Sequence, residues 1–206
     1  MKNLYIFSLV AALAMSVAPF SYGQGNPEAN KLAREGSQAS KDQDWDKSIN
    51  LLKKATDMDR KYAPNLAAAY QQRAFAEAND QRFQDAILDL DAALKVNPKD
   101  ARILEQRAAV EVKINEYDKA VADYGEAIKM NPGEIKNYLY RSYIYEIRGD
   151  VPNSMADTDK ALKIQPKNPE AIARKQRLQK IQQINAAPST TPVAAPPKAQ
   201  PPPKKP

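Results

Sequence analysis

An all-α array of helical hairpins is the fold class this sequence predicts, and three observations predict it. The first is a period: "DLDAALKVNPKD" (89–100), "DYGEAIKMNPGE" (123–134) and "DTDKALKIQPKN" (157–168) follow one another at intervals of 34 residues. That interval exceeds one helix and suits a two-element unit. The second is spacing, because Ala86, Leu90 and Ala93 recur as one face of a helix does. The third is punctuation. "ANDQR", "INEY" and "RGDV" carry turn chemistry midway through each unit, and Asn97-Pro98, Asn131-Pro132 and Gln165-Pro166 close it. Proline disfavours the helical conformation of the residue before it and has no N–H to donate, so each second helix must stop there.

Aligned on those prolines, Arg73, Arg107 and Arg141 fall in one column, followed by Phe83, Tyr117 and Val151, by Ala86, Ala120 and Ser154, by Asp89, Asp123 and Asp157, and by Ala93, Ala127 and Ala161. Small residues at these places let two helix backbones approach where leucine would hold them apart. A weaker copy precedes these, with Leu32, Gly36, Trp45, Ser48, Leu52 and Ala55 in matching columns, 38 residues ahead of the next unit. "APNL" (63–66) therefore reads as a short insertion between units. The units are expected at 29–62, 67–100, 101–134 and 135–168. A stack of hairpins leaves an apolar end that needs a solvating element. Residues 169–185 are expected to supply it as a capping helix, with Asn168 as N-cap, Pro169 at the first helical position, and Ala171, Leu178, Ile181 and Ile184 toward one side.

The two ends differ from this body. Lys2, an apolar run from Leu4 to Ala18, Pro19, and the small residues Ser21 and Gly23 read in that order as a secretory signal peptide, 1–23, with cleavage after Gly23. The run of about fifteen residues is short for a membrane span, which needs roughly twenty; no stable span is expected after cleavage. Export to the periplasm or the cell exterior is the expectation that follows. Eight of the chain's sixteen prolines lie between Pro188 and Pro206. The tail 186–206 is Pro/Ala/Lys-rich with too little apolar surface to fold; it reads as a disordered spacer, with contact to anionic envelope polymers through Lys198, Lys204 and Lys205 as the alternative.

Composition narrows the chemistry. The chain has no cysteine and no histidine, which removes thiol catalysis, imidazole acid–base chemistry and nearly all zinc or copper sites. No cofactor and no metal is expected. The net charge of +6 comes from Lys2, from Arg174, Lys175, Arg177 and Lys180, and from the tail lysines. Acidic and basic residues nearly cancel between Gln24 and Asn168, so no nucleic-acid partner is expected. There is no phosphate-cradling glycine loop, no nucleophile elbow and no carboxylate pair in a pocket-forming context. Enzymatic activity is not expected.

These columns make residues 29–168 resemble the tetratricopeptide repeat family. Its pattern has a large residue at position 4, small ones at 8, 20 and 27, an aromatic at 17 and proline at 32. Tyr70, Ala74, Phe83, Ala86, Ala93 and Pro98 meet it, as do Leu104, Ala108, Tyr117, Ala120, Ala127 and Pro132. The first unit has Arg60 in place of the proline, the last has Val151 in place of the aromatic, and Glu77 and Glu111 stand at position 11 where the family often has an aromatic. The resemblance implies an α-solenoid whose first helices line a concave partner-binding groove. The groove residues it implies are Arg34, Gln71, Gln72, Phe75, Asn79, Arg102, Gln106, Lys113, Lys136, Tyr140 and Tyr143. Amides that can bond a peptide backbone, aromatics and cations together suit a protein partner or an extended peptide.

Some members of that family clamp a C-terminal carboxylate with lysines and asparagines. The matching positions here are Ala33, Ser37, Gln72, Arg102 and Gln106, and only Arg102 is cationic; that clamp is not expected. The Arg73, Arg107, Arg141 column and the Asp89, Asp123, Asp157 column share a period, which reads as ion pairing within each unit, with anion binding as the alternative. Tyr138, Tyr140, Tyr143 and Tyr145 crowd one helix, whose geometry spreads them around the cylinder, so part of the set belongs to the core. The expected function is a non-enzymatic binding scaffold or adaptor of the cell envelope. The alternative is a structural envelope component retained by its basic tail.

Overall fold

A computed structural model describes residues 26–186. The signal-peptide reading and the tail beyond Ala186 lie outside the described residues. Among those described there are nine α-helices and no strand: α1 Pro27–Lys41, α2 Trp45–Met58, α3 Ala63–Asn79, α4 Phe83–Val96, α5 Ala101–Lys113, α6 Tyr117–Met130, α7 Ile135–Ile147, α8 Val151–Ile164 and α9 Pro169–Ala186. A single 3₁₀ turn, Arg60–Tyr62, precedes α3. The chain divides into two compact units between Ala69 and Tyr70.

In the first unit α1 packs on α2. Asn26 accepts from the N–H groups of Glu28 and Ala29 at 3.0 and 3.3 Å, and Pro27 occupies the first helical position, so the N-terminus of α1 is both capped and preset. Ala29, Ala33, Gly36 and Ala39 form its buried face. Gly36 is there for space: a Cβ on it would lie 2.8 Å from Leu52 Cγ.

The four extra residues expected at 63–66 take helical form. They make up the start of α3, which is 17 residues long where α5 and α7 have 13. Four residues add about one turn, and Pro64 falls in the first turn, where its missing N–H breaks no helical bond.

In the second unit each of the helices α4 to α9 packs against the next along the chain. Alanines sit at the crossings: Ala86, Ala93, Ala108, Ala120, Ala127, Ala161 and Ala171 all have no exposed surface. Larger side chains fill the spaces between, as where Tyr124 and Ile144 join Ala108 and Ala120, or Ile128, Tyr138 and Leu139 join Ala161 and Ala171. The fourth repeat replaces two of its alanines with Ser142 and Ser154. Their hydroxyls and that of Thr158 bond one another and the Ser142 and Ser154 carbonyls at 2.8–3.0 Å, so the buried polar groups are satisfied.

The turns repeat as the helices do. Gln43, Gln81, Asn115 and Gly149 have φ of 58°, 62°, 61° and 73°, one left-handed residue per hairpin. Asn97, Asn131 and Gln165 are the C-caps of α4, α6 and α8, where the Asn-Pro and Gln-Pro pairs require a stop.

Helix α9 starts as expected, with Asn168 accepting from the Ala171 N–H at 2.9 Å. It differs in its seam. Ala171, Arg174 and Leu178 are buried, whereas Ile184 is 73% exposed. At 100° per residue Ile184 falls roughly 140° around the helix from Ala171. The buried Arg174 donates to the Leu139 carbonyl and to Glu170, and its guanidinium lies 5.6 Å from the Tyr143 ring centroid. A charged group thus seals the last hairpin, while Ile172 and Ile184 lie on the exposed side of α9.

Candidate functional site

Three ion pairs hold the first helix of each full repeat to its second. Arg73, Arg107 and Arg141 each donate from Nε to one oxygen and from Nη2 to the other oxygen of Asp89, Asp123 and Asp157, at 2.6–2.8 Å. The aspartates are buried and the arginines partly so. Pairing within units is therefore what these two columns do. Both oxygens of each carboxylate are engaged, and the three arginines are not displayed for an anion.

Helix spacing leaves another row outside. Gln71, Phe75 and Asn79 follow one another by one turn on α3, and Gln106 and Lys113 by two turns on α5. They border a cavity of about 230 Å³ whose further lining is Ala74, Ala78, Phe83, Leu90, Ala109 and Val110. Phe75 is 67% exposed at its edge. An apolar hollow rimmed by two glutamines, an asparagine and a lysine can accept an apolar side chain while its rim bonds a backbone or a carboxylate.

The remaining expected residues are placed differently. Gln72 is exposed on α3. Arg102 is turned back onto its own helix N-terminus, bonding Asp100 through Nε and Nη2 at 3.0 and 2.8 Å; this pairing lowers the Asp100 carboxyl below its ordinary value. Lys136, Tyr140 and Tyr143 are exposed on α7, outside the cavity. Tyr140 stacks on the buried Tyr124 with centroids 5.6 Å apart, and Tyr143 lies against Arg174. Tyr138 is buried, as the spread of the four tyrosines around α7 requires. Arg34 belongs to the first unit, where it lines a surface cavity of about 660 Å³ with Asn30, Ser37 and Tyr62.

The cavity floor escaped the sequence reading. Ala109 and Val110 are one turn beyond Gln106, and Phe83 and Leu90 come from α4; as residues of the small and apolar columns they carry no signal separating a floor from a core.

Two carboxyls at position 11 are unusual. Glu77 and Glu111 each have a buried Oε2 without a hydrogen-bond partner. Burial first, and then Asp89, raises Glu77 above its ordinary value. Burial and then Asp123 push Glu111 up to about 7. Among the described residues no group of carboxylates is arranged to hold a metal, and no helix is long and apolar enough to cross a membrane.

Stacked hairpins with alanine crossings, left-handed turns and an exposed row on the first helices define a helical repeat protein. A tetratricopeptide repeat model matches residues 72–135 and again 106–169, and the chain carries tetratricopeptide repeats. No curated protein matches it. Solved structures with the same fold include the TPR domain of Arabidopsis OM64, which is 23% identical, covers 57% of this chain and 98% of its own, and has a TM-score of 0.53. The first TPR of Spaghetti (RPAP3), bound to the HSP90 peptide SRMEEVD, is 16% identical over 58% of this chain and 95% of its own, at 0.55. A tetratricopeptide repeat protein from Parabacteroides merdae is 21% identical over 77% of this chain and 62% of its own, at 0.61.

Proposed function

We propose that this chain is a non-catalytic adaptor, exported to the cell envelope, that holds an extended segment of a partner protein along the first helices of its repeats. The observation that carries the reading is the Phe75 cavity, with Gln71, Asn79, Gln106 and Lys113 around an apolar floor. The peptide held by the Spaghetti repeat supports the class of ligand. It does not extend to the acidic sequence of that peptide, because Arg102 is paired with Asp100 and no lysine stands at the other clamp positions. A segment with an apolar anchor for the cavity and an acidic group near Lys113 fits better.

The test displays a random peptide library to the chain and to a Phe75→Ser/Lys113→Glu double variant. The expected result is enrichment of peptides with an apolar anchor and an adjacent acid by the parent, lost in the variant. Equal enrichment by both would reject this face. Export rests on Lys2, the Leu4–Ala18 run and the small residues before Gln24; N-terminal sequencing of the chain recovered from cells is expected to begin at Gln24, and a retained Met1 would overturn it.

A further inference from the structure

We propose that the cleft between α4 and α6, floored by Glu111 of α5, is a second docking site, one that takes a lysine or arginine side chain of a partner protein. The cleft has a volume of about 430 Å³ and shares no lining residue with the Phe75 cavity. Glu111 lines it, is only 4% exposed, and its Oε2 has no hydrogen-bond partner. A buried carboxylate oxygen in this state lacks the donor that such groups ordinarily find.

Neither basic residue of α5 near it supplies that donor: Lys113 lines the Phe75 cavity instead. Arg107, one turn before Glu111, is engaged by both oxygens of Asp123 and by Asp91 Oδ1. Asp91 from α4 and Asp123 from α6 add to the negative field at Glu111, opposed by Arg107 and by Lys119 of α6; Glu116, at the N-cap of α6, lines the same cleft. The walls complete the fit. Ile87, Leu88 and Ile114 line the cleft, and Leu88 is 61% exposed. An aliphatic stem can lie on these residues while its charged end reaches the carboxylates. A bare metal ion would not use such walls, and among the described residues no carboxylate group is arranged to hold one.

Burial together with the neighbouring aspartates holds a proton on Glu111 up to about pH 7. An entering ammonium or guanidinium group takes the place of that proton, so binding strengthens as the pH rises through that value.

The test titrates N-acetyl-argininamide and N-acetyl-lysinamide into the full chain and follows the methyl resonances of Ile87, Leu88 and Ile114, with N-acetyl-norleucinamide as the uncharged control. Saturable shifts with the two basic probes and none with the control are expected at pH 8. Glu111→Gln, which preserves the shape of the side chain, should weaken binding about fivefold, as loss of a modest ion pair does, and the parent should weaken comparably at pH 5.5. Equal affinity of parent and Glu111→Gln, no saturable shift at these methyls, or binding unchanged between the two pH values would each overturn the site. The pH arm uses the parent alone, so it decides the matter even if the variant folds poorly.

Discussion

Arg141 and Asp157 meet at two points, Nε to Oδ2 at 2.7 Å and Nη2 to Oδ1 at 2.8 Å, with the aspartate side chain 8% exposed. Removing only one partner leaves a desolvated charge with nothing to balance it, whereas removing both leaves none. Asp157→Leu alone is expected to cost about 3 kcal/mol, and Arg141→Met/Asp157→Leu about 1 kcal/mol or less. Urea denaturation of the two variants checks this; a double variant as unstable as the single one would mean that the pair itself, and not its imbalance, matters.

The turns give a signed prediction. Gln81 holds φ of 62° and Gly149 φ of 73°, in the region where a side chain crowds the backbone and glycine does not. Gln81→Gly should stabilise by about 0.5–1 kcal/mol and Gly149→Ala destabilise by about 1 kcal/mol. Thermal midpoints of the two variants are expected to move in opposite directions.

Why the repeat could be read and its grooves only in part follows from what each residue has to do. Ala120 must be small because two backbones meet there, Asn131 must end a helix before Pro132, and Arg107 needs an acid across the hairpin; each requirement restricts the residue type and leaves a mark. Phe75 and Gln106 could be placed because the repeat register puts them on the exposed side of the first helices. Glu111 shares a column with Glu77 and Tyr145, and the residues that line its cleft with it, Ile87, Asp91 and Asp123, come from the flanking helices. The form of segment 63–66 could not be read for a related reason: an offset of four residues is either a loop or one more helical turn, and only the packing of α3 decides.

Gly36 tests whether close approach is a requirement in the first unit. Its missing Cβ would stand 2.8 Å from Leu52 Cγ and 3.2 Å from the Leu52 backbone nitrogen, contacts that need α1 and α2 to move apart. Gly36→Ala is expected to destabilise by about 1–3 kcal/mol, the usual range for overpacking. Gly133→Ala is the control, because nothing lies within 4 Å of the added carbon and its φ is not in the left-handed region. Denaturation midpoints that fall together in the two variants would show that glycine itself, rather than the Gly36 contact, is responsible.

Glu111 links stability to pH in the direction opposite to that of a salt-bridged carboxylate. Its folded value of about 7 stands above the ordinary 4.5, so between those values the folded chain binds more protons than the unfolded one and stability falls as pH rises. The penalty is absent below pH 4.5 and complete above pH 7. Glu146 contributes the other way, because its bonds to Arg177 hold it below its ordinary value; its contribution is present above the ordinary carboxylate range and lost in acid. In Glu111→Gln the first effect disappears and the second remains. That variant should match the parent near pH 4.5 and exceed it by about 3 kcal/mol at pH 8, the order that a shift of this size implies. Urea titrations of both proteins at pH 4.5, 6 and 8 measure the difference, and a gap independent of pH would place the buried charge somewhere other than Glu111.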